Sequence, residues 1–449
     1  MVVTARPRSA SPRSYHFPDF AEQKLPSGHR LVTAAVKKLP VVTVLIVIDA
    51  GSSKDPKAKE GVAALTAAAL VEGTRNLTGA ELAESFEQLG TSVESGADWD
   101  SAVLKITVLS EKLNEAIKLL GEVLVTPAFD PVEIERLKSE RLAEILQLET
   151  EPRGLADEKF AEFVYAEDSR YSRPDEGTAT TVASLTRDDV LAFYKANYTS
   201  ATTTIIITGD FDKASVVGLL AETIGGLTKG TMVERKLLTT PRWSDRKIHI
   251  VHKANAPQSE IRVGHVGLPR LHPDFFPTLV MNAVLGGLFG SRINLNLREE
   301  HGYTYGASSY YDWRKGPGPF VISTAVQSDV TAAALGEIFF EIGRIRDTEV
   351  SPQELSLATD YLQGVFPIRY ETTSSIASAL ASLVIYELPA DYYDTYRRNI
   401  GNVSTADVLA AAKAHINPNE LQTVIVGDAA VIGEPLRKAK IADVQIHNG

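Results

Sequence analysis

The ten residues Asp189-Val-Leu-Ala-Phe-Tyr-Lys-Ala-Asn-Tyr198 return as Asp407-Val-Leu-Ala-Ala-Ala-Lys-Ala-His-Ile416, 218 residues further along the chain. The apolar segment Ile205-Ile-Ile-Thr-Gly-Asp210 returns as Thr423-Val-Ile-Val-Gly-Asp428 at the same spacing. This period is far longer than that of solenoid repeats. The sequence therefore predicts two copies of one domain in tandem.

Each copy is predicted to mix strands with helices. Apolar runs at 41–49 and 259–267 open the two copies as strands, and the alternating run at 102–109 indicates paired strands. Pro131 and Pro352 are each followed by acidic residues, as is typical of the first turn of a helix. We therefore expect an α+β fold, in which each domain is a largely antiparallel sheet packed with helices.

The predicted domains are separated by a segment rich in Thr, Lys, Gly and Arg. We place a flexible leader at 1–19, the N-terminal domain at 20–230, a linker at 231–246 and the C-terminal domain at 247–449. A chain of 449 residues is long enough for two such cores.

Composition narrows the class of protein. The net charge of −11 and the pI near 5.4 argue against nucleic acid as the main partner. The chain has no cysteine, which excludes disulfides and thiolate metal sites. Its longest apolar run, near 41–48, is too short for a membrane span, and residues 1–14 lack the apolar core of an intact signal peptide. We expect a soluble protein of the cytoplasm or periplasm.

The helix predicted near Gly61–Thr74 resembles the first helix of the pitrilysin/insulinase metallopeptidases, which carries the inverted zinc motif H-x-x-E-H. On that frame the motif positions are Ala64, Ala67 and Ala68. Two His at i and i+4 would hold Zn²⁺ and the Glu would activate water, and three alanines do neither. The alternative is an ordinary packing helix, because Ala is the best helix former.

One acidic residue matches the place of the third zinc ligand in this resemblance. Glu144 follows Ala68 by 76 residues, close to where the family has that ligand on a later helix. A single carboxylate without histidines holds Zn²⁺ poorly, so Glu144 is either a relic or a solvated helix residue.

A second stretch, Asn294-Leu-Asn-Leu-Arg-Glu-Glu-His-Gly-Tyr-Thr-Tyr-Gly306, resembles the other signature of the same family. In it an Arg and a Tyr seven residues apart reach towards the zinc site, and here they are Arg298 and Tyr305. We expect Arg298 to end a helix and Tyr305 to open the next strand, so that both face one cavity. A guanidinium can fork onto peptide oxygens and a phenol can donate to an oxyanion. His301, between them, is a weaker candidate for peptide binding.

Two alternatives stand beside that interpretation. Arg298 could pair with Glu299 or Glu300 on a solvated face, with Tyr305 as an ordinary sheet residue. The chain as a whole could be a catalytically inert structural or peptide-binding subunit of the same fold.

Together the resemblances imply the zinc-lacking subunit of a heteromeric zinc metallopeptidase, similar to the alpha subunit of processing peptidases. This chain would bind no cofactor. A homologous H-x-x-E-H partner would carry the zinc, and this chain would supply Arg298 and Tyr305 in trans and help to enclose peptide substrates.

Overall fold

The computed structural model describes residues 14–231 and 238–448, which fold as two α+β halves. Residues 1–13 of the predicted leader and 232–237 of the predicted linker lie outside that description, as does Gly449.

Among the described residues, the N-terminal half has six strands in one sheet and eight α-helices. The strands are β1 (Phe20–Lys24), β2 (Arg30–Ala35), β3 (Val41–Ile48), β4 (Glu94–Ala97), β5 (Ala102–Leu109) and β6 (Thr203–Gly209). The helices are α1 (Val62–Ala69), α2 (Gly79–Gln88), α3 (Leu113–Val125), α4 (Pro131–Thr150), α5 (Pro152–Val164), α6 (Ala179–Ser184), α7 (Arg187–Asn197) and α8 (Lys213–Thr223).

The C-terminal half repeats this composition and adds two π-helical segments, Ala283–Gly287 and Leu295–Glu300. Its strands are β7 (Lys247–His252), β8 (Gln258–Val266), β9 (Ala307–Tyr311), β10 (Pro319–Gln327), β11 (Gln422–Gly427) and β12 (Asp443–Asn448). Its helices are α9 (Phe275–Asn282), α10 (Arg292–Asn294), α11 (Thr331–Asp347), α12 (Pro352–Arg369), α13 (Thr373–Ile385), α14 (Tyr392–Gly401), α15 (Thr405–His415) and α16 (Ala429–Ala439).

The two sheets have the same strand order. The first runs β1-β2-β6-β3-β5-β4 and the second β12-β7-β11-β8-β10-β9. Most neighbouring pairs are antiparallel, while β2 with β6 and β7 with β11 are parallel. The edge strand differs, because β1 precedes its neighbour and runs antiparallel to it, whereas β12 comes from the chain end and runs parallel. The predicted α+β class is confirmed.

The 218-residue offset holds in three dimensions. Helices α7 and α15 begin and end at that spacing. Gly209 and Gly427 both end the third strand of their sheets, β6 and β11. The repeated sequence therefore marks equivalent elements, as expected of a duplicated domain.

The same local chemistry starts both repeated helices. Thr186 Oγ1 accepts from the backbone N–H of Asp189 at 3.3 Å, and the Asp189 carboxylate accepts from the Thr186 N–H at 2.8 Å. Ser404 and Asp407 form the same pair at 3.1 and 2.9 Å. These reciprocal capping boxes satisfy N–H groups that a helix start leaves without partners.

One helix of each half packs on the sheet of the other half. α13 of the C-terminal half packs on β3 and β6, and α5 of the N-terminal half packs on β8 and β11. Polar contacts accompany the apolar ones: Thr208 Oγ1 donates to the Thr373 carbonyl at 2.7 Å. Buried Arg262 of β8 donates to Asp157 of α5 at 2.5 Å. The halves are therefore joined by reciprocal burial.

The chain before β1 also touches the C-terminal half. Phe17, inside the predicted leader, is buried and its ring stacks on Tyr393 at a centroid distance of 4.5 Å. The domain limits at 20–230 and 247–449 remain predictions. Among the described helices, none combines the length and apolar character that crossing a membrane requires.

Candidate functional site

The alanines predicted to occupy the inverted-motif positions lie on α1. Gly61, with a φ of +97°, precedes the helix, and Ala64 and Ala68 share a partly exposed face one turn apart. Ala67 is buried, and its carbonyl accepts a 2.5 Å hydrogen bond from Ser95. The spacing thus places two of the three motif positions on one surface, as expected.

That surface lines a cavity of about 160 Å³ together with residues of α4. Ala64, Ala68 and Glu144 all face it, so the structure brings together the motif helix and the predicted relic. A guanidinium pairs with two carboxylates of this cavity: Arg141 Nη1 lies 3.2 Å from a Glu144 oxygen and 2.7 Å from a Glu176 oxygen. Sequence reasoning missed Arg141, whose proximity to Glu176 depends on the fold.

These residues do not fit a zinc ion. Ala64, Ala67 and Ala68 offer no side-chain ligand atom, and Glu144 already pairs with a fixed positive charge. Zinc sites in proteins need three or four N, S or O ligands. The residues at the predicted motif positions therefore form no zinc site, and Arg141 pairs with Glu144 and Glu176 beside them.

A buried carboxylate supports the start of the same helix. Asp55 accepts from the N–H groups of Gly61 and Ala63 at 2.8 and 2.9 Å and pairs with Arg170 at 2.8 Å. Burial raises the pKa of Asp55 to about 6, and the Arg170 charge and these hydrogen bonds oppose that rise. The start of α1 is thus anchored by a buried carboxylate and the guanidinium paired with it.

The second signature begins at the last residue of α10, Asn294, and continues through the π-helical segment Leu295–Glu300. The segment ends at Glu300, two residues beyond Arg298, and is followed by Gly302 with a φ of +67°. Arg298 is partly exposed, its Nε lies 3.2 Å from a Glu299 oxygen, and its guanidinium sits 4.6 Å from the Phe289 ring centroid. The pairing with Glu299 matches one of the alternatives, while the stack on Phe289 was not foreseen.

Tyr305 is 94% exposed and lies two residues before β9, not at the strand's first residue. The turn is held by hydroxyls, since Thr324 Oγ1 donates to the Gly306 carbonyl at 3.1 Å and Thr304 Oγ1 accepts from the Gly306 N–H at 3.1 Å. The backbone is fixed while the phenol projects into solvent.

Asn294 connects this turn to the backbone at Phe289, which precedes α10. Its side-chain amide donates to the Phe289 carbonyl at 2.6 Å, and its side-chain oxygen accepts from the Ala307 N–H at 3.0 Å. Asn294 is buried, so these bonds are well protected. It is a positioning residue that sequence reasoning missed, because a lone Asn in a helix gives no signal of a long-range bond.

His301 lies beside the pair as a polar neighbour. Its ring stacks on Tyr303 at 5.0 Å, and its Nε2 lies 3.7 Å from a Glu337 oxygen. Its predicted role in peptide binding remains a prediction, as do those of Arg298 and Tyr305.

Within the described residues, the cavity beside Ala64 does not include Arg298 or Tyr305. All residues around the Ala64 cavity come from 61–185, whereas Arg298 and Tyr305 belong to the other half. A different group, His272, Asp274 and His415, has side-chain ligand atoms within 4.8 Å of one another. There a 2.7 Å hydrogen bond already joins His415 to Asp274.

Comparisons with known proteins match both halves to one family. Residues 30–172 match the insulinase (peptidase family M16) profile, and residues 184–362 match the peptidase M16 inactive domain. The first match includes the helix with Ala64 and Ala68, and the second includes Arg298 and Tyr305.

Individual proteins agree with this match. The non-peptidase homolog YmxG of Helicobacter pylori is 26% identical over 397 residues, 87% of this chain and 90% of that protein. The mitochondrial-processing peptidase subunit beta of Blastocladiella emersonii is 23% identical over 64% of this chain and 60% of its own. The structure of a peptidase M16 inactive domain from Pseudomonas fluorescens aligns with a TM-score of 0.85 and 25% identity, covering 91% of this chain and 98% of the other.

Proposed function

Since this chain belongs to the M16 (insulinase) family of zinc peptidases and carries alanines where that family has its inverted zinc motif, we propose that it is the non-zinc subunit of a heteromeric zinc peptidase. A homologous H-x-x-E-H chain would hold the metal. The two chains together would enclose a peptide and hydrolyse it.

The observation that carries the proposal is the contrast between the two signatures. Ala64 and Ala68 line a cavity beside an ion-paired Arg141, whereas Tyr305 is almost fully exposed on a braced turn. An exposed phenol on a fixed backbone is suited to donate a hydrogen bond to a group outside its own chain. Folding alone gives no reason to hold Tyr305 there, because its ring buries little area.

Within the proposed complex the two side chains have separate roles. The Arg298 guanidinium would leave Glu299 and donate two hydrogen bonds to peptide carbonyl or carboxylate oxygens. Such bidentate hydrogen bonds are strong because the planar guanidinium matches the geometry of the acceptor. Breaking the Arg298–Glu299 pair would cost little free energy, since a half-exposed ion pair contributes about 0–1 kcal/mol. The Tyr305 hydroxyl would donate to the oxyanion that forms at the partner's zinc.

The test is peptide hydrolysis by this chain reconstituted with a zinc-bearing homologue, compared with each chain alone. Tyr305→Phe keeps the ring and should lower kcat by about 10²–10³, or less if zinc already stabilises most of the oxyanion charge. Arg298→Ala should mainly raise KM. Assembly is measured in parallel by gel filtration and should not change.

A second candidate is a catalytically inert subunit that only binds peptide or builds structure. The Arg298–Glu299 pair and the Phe289 stack favour it, because they already occupy the guanidinium. If the complex cleaves peptide but both variants leave kcat and KM unchanged, this second candidate replaces the first.

A further inference from the structure

Three side chains that can bind a metal converge at one corner of the C-terminal half. His272 and Asp274 lie just before α9, and His415 is the last residue of α15. Their ligand atoms all lie within 4.8 Å of one another. Two of them already touch, since His415 Nε2 lies 2.7 Å from an Asp274 oxygen. Two imidazoles and one carboxylate are a ligand set that binds zinc and similar divalent transition metals.

The distances in this His–Asp–His group suit a small ion after a slight movement of the side chains. Bonds from zinc to nitrogen and oxygen are about 2.0–2.2 Å long, so the ligand atoms of a tetrahedral site lie about 3.3 Å apart. Side-chain rotations that move these atoms by on the order of 1 Å reach that spacing. The Asp274 N–H now donates to His272 Nδ1 at 3.1 Å. Metal binding by His272 would replace this hydrogen bond, because a neutral imidazole has a single lone pair to offer.

The backbone that carries these ligands is held in place. The His272 carbonyl accepts from the Phe275 N–H at 3.0 Å, and the His415 carbonyl accepts from the Tyr311 hydroxyl at 3.2 Å. The two helices that bring the ligands together, α9 and α15, pack directly on each other. Ligands on fixed elements lose little freedom when an ion binds, which favours affinity.

The group is open to solvent on one side and carries a charge that suits a cation. The Asp274 side chain is 50% exposed, whereas that of His415 is 11% exposed. An ion would therefore enter from the Asp274 side, where water would supply a fourth ligand. Asp274 contributes a negative charge, and His415 ends a helix, where the helix dipole favours positive charge.

The N-terminal half has the same corner without these ligands. There α1 packs on α7, as α9 packs on α15. The residue that ends α7 and matches His415 is Asn197 (415 − 218 = 197). The cavity at that corner is lined by Asn197 together with Lys54 and Lys59. An amide and two ammonium groups do not hold a divalent cation, so the duplicated fold itself does not require the His–Asp–His group.

We propose that His272, Asp274 and His415 bind a divalent transition metal such as zinc, which connects the start of α9 to the end of α15. The hydrogen bond between Asp274 and His415 would suffice to join the two helices, whereas the second imidazole adds the third ligand that a metal needs. The site is separate from α1, where the missing motif leads us to expect no metal. It is independent of the proposed function, and its role is to stabilise the C-terminal half.

The first test is metal binding by the full chain after dialysis against a chelator. Isothermal titration with zinc chloride should show a single ion bound per chain, and Co²⁺ in its place should give the visible absorption of a four-coordinate site. Thermal unfolding adds a second readout, because an ion that binds only the folded chain raises Tm. The absence of saturable binding, or an unchanged Tm at saturating zinc, overturns the proposal.

Two ligand variants and one control locate the ion. His272→Ala removes one imidazole, and His415→Asn gives α15 the same type of final residue as α7. Each should weaken zinc binding by at least about 10–100-fold, the loss that changes outside the ligand set of a metal already cause. His16→Ala is the matched control, because His16 also lies beside an acidic residue, 3.4 Å from an Asp394 oxygen. It should leave the zinc affinity unchanged.

A further variant separates metal binding from the role of the hydrogen bond in folding. Asp274→Asn keeps an oxygen that can accept from His415 and removes the charge, so it should weaken zinc binding and leave the Tm of the metal-free chain unchanged. Zinc affinity that falls in the three ligand variants and persists in His16→Ala supports the site. Zinc affinity equal to that of the wild type in folded His272→Ala and His415→Asn would mean that the ion binds elsewhere, and it would overturn the proposal.

Discussion

In the N-terminal half, the long helix beside the predicted motif positions carries a network of ion pairs: Arg136 of α4 pairs with Glu72, Glu133 and Glu140 at 2.5–2.7 Å. In the C-terminal half, the equivalent helix α12 pairs through Glu354, which accepts from Arg292 at 2.6 and 3.1 Å. Both helices leave apolar side chains in solvent, such as Leu146 of α4 at 64% and Ile368 of α12 at 70%.

The comparison teaches that duplication preserves topology more strictly than surface chemistry. The strand order and the capped helices recur, since each is needed to bury a core. The surfaces of the two halves are free to differ. Beside α1, Arg141 pairs with Glu144 and Glu176, whereas the C-terminal half leaves Tyr305 94% exposed on its turn. Substitutions at matched positions of the two halves test this difference.

The largest effect is expected at the paired strand-end glycines. Gly209 has a φ of +137°, and a Cβ there would lie 2.2 Å from the Val41 carbonyl oxygen. Gly209→Ala should lower the free energy of unfolding by about 2–4 kcal/mol, through backbone strain and overpacking. Gly427→Ala should cost about 1 kcal/mol, since its Cβ would meet mainly the Ser259 and Ile432 side chains, which can move.

Denaturant unfolding of both variants measures the difference. Equal losses at the two glycines would mean that the halves constrain this strand end alike, contrary to their backbone angles.

Restoring ligands tests whether Arg141 takes the place of the metal. Ala64→His with Ala68→His would recreate, with Glu144, a three-ligand His₂Glu set on the existing scaffold. We expect weak zinc binding while Arg141 holds Glu144, and a gain on the order of 10–100-fold when Arg141→Ala is added. Competition with a chromophoric chelator measures the affinity.

The control for this series is Arg141→Ala alone, which should gain no site at α1. Every variant of the series also carries His272→Ala. This substitution removes one ligand from the group formed with Asp274 and His415, so that zinc bound there is not counted. If the double His variant binds zinc equally well with and without Arg141, the ion-paired network is only incidental.

Much of this organisation could be predicted from the sequence, and the residues show why. The 218-residue repeat, the α+β class and the shared face of Ala64 and Ala68 follow from local periodicity, which a single chain records. The exchange of α5 and α13 could not be predicted, because no local pattern states which sheet a helix covers. Arg141 with Glu176 and Asn294 with Phe289 are likewise contacts set by the fold. A π-helical turn at Leu295–Glu300 differs from an α-helix by one residue of register, which composition does not reveal.

Asp100, a carboxylate between the halves, makes the free energy of unfolding depend on pH. Burial raises the pKa of Asp100 to about 6, while a 2.9 Å hydrogen bond from the Lys315 N–H lowers it. Because this value lies above the ordinary one of 3.8, the folded chain holds the extra proton between about pH 4 and 6. The free energy of unfolding contributed by this group therefore falls as pH rises through that window.

Asp100→Asn should remove this fall and stabilise the chain at pH 7 by about 1–3 kcal/mol, since an amide oxygen can still accept from Lys315. Thermal melts from pH 4 to 8 measure it. Asp55→Asn is unsuitable as a control because Asp55 pairs with Arg170, so the exposed Asp347→Asn serves. A steeper pH dependence in Asp100→Asn than in the wild type would reverse the sign argued here.

The smallest expected effect is also the strictest test of equivalence. Thr186→Ala and Ser404→Ala each remove the side-chain acceptor of a capping box, which typically costs about 1 kcal/mol. The two losses should agree within a few tenths of a kcal/mol, because the two boxes have the same kinds of partner and nearly the same distances.

The acidic residue of each box has a different environment in the two halves. Asp189 also pairs with Lys59 at 2.8 Å, whereas among the described residues Asp407 has only its capping contacts. Asp189→Ala should therefore destabilise more than Asp407→Ala, by up to about 1 kcal/mol for a partly exposed pair. Urea unfolding of the four variants measures these losses, and Lys59→Met, which removes the extra ion pair, separates its contribution from that of capping. Unequal losses at Thr186 and Ser404 combined with equal losses at Asp189 and Asp407 would contradict the equivalence of the repeated helices.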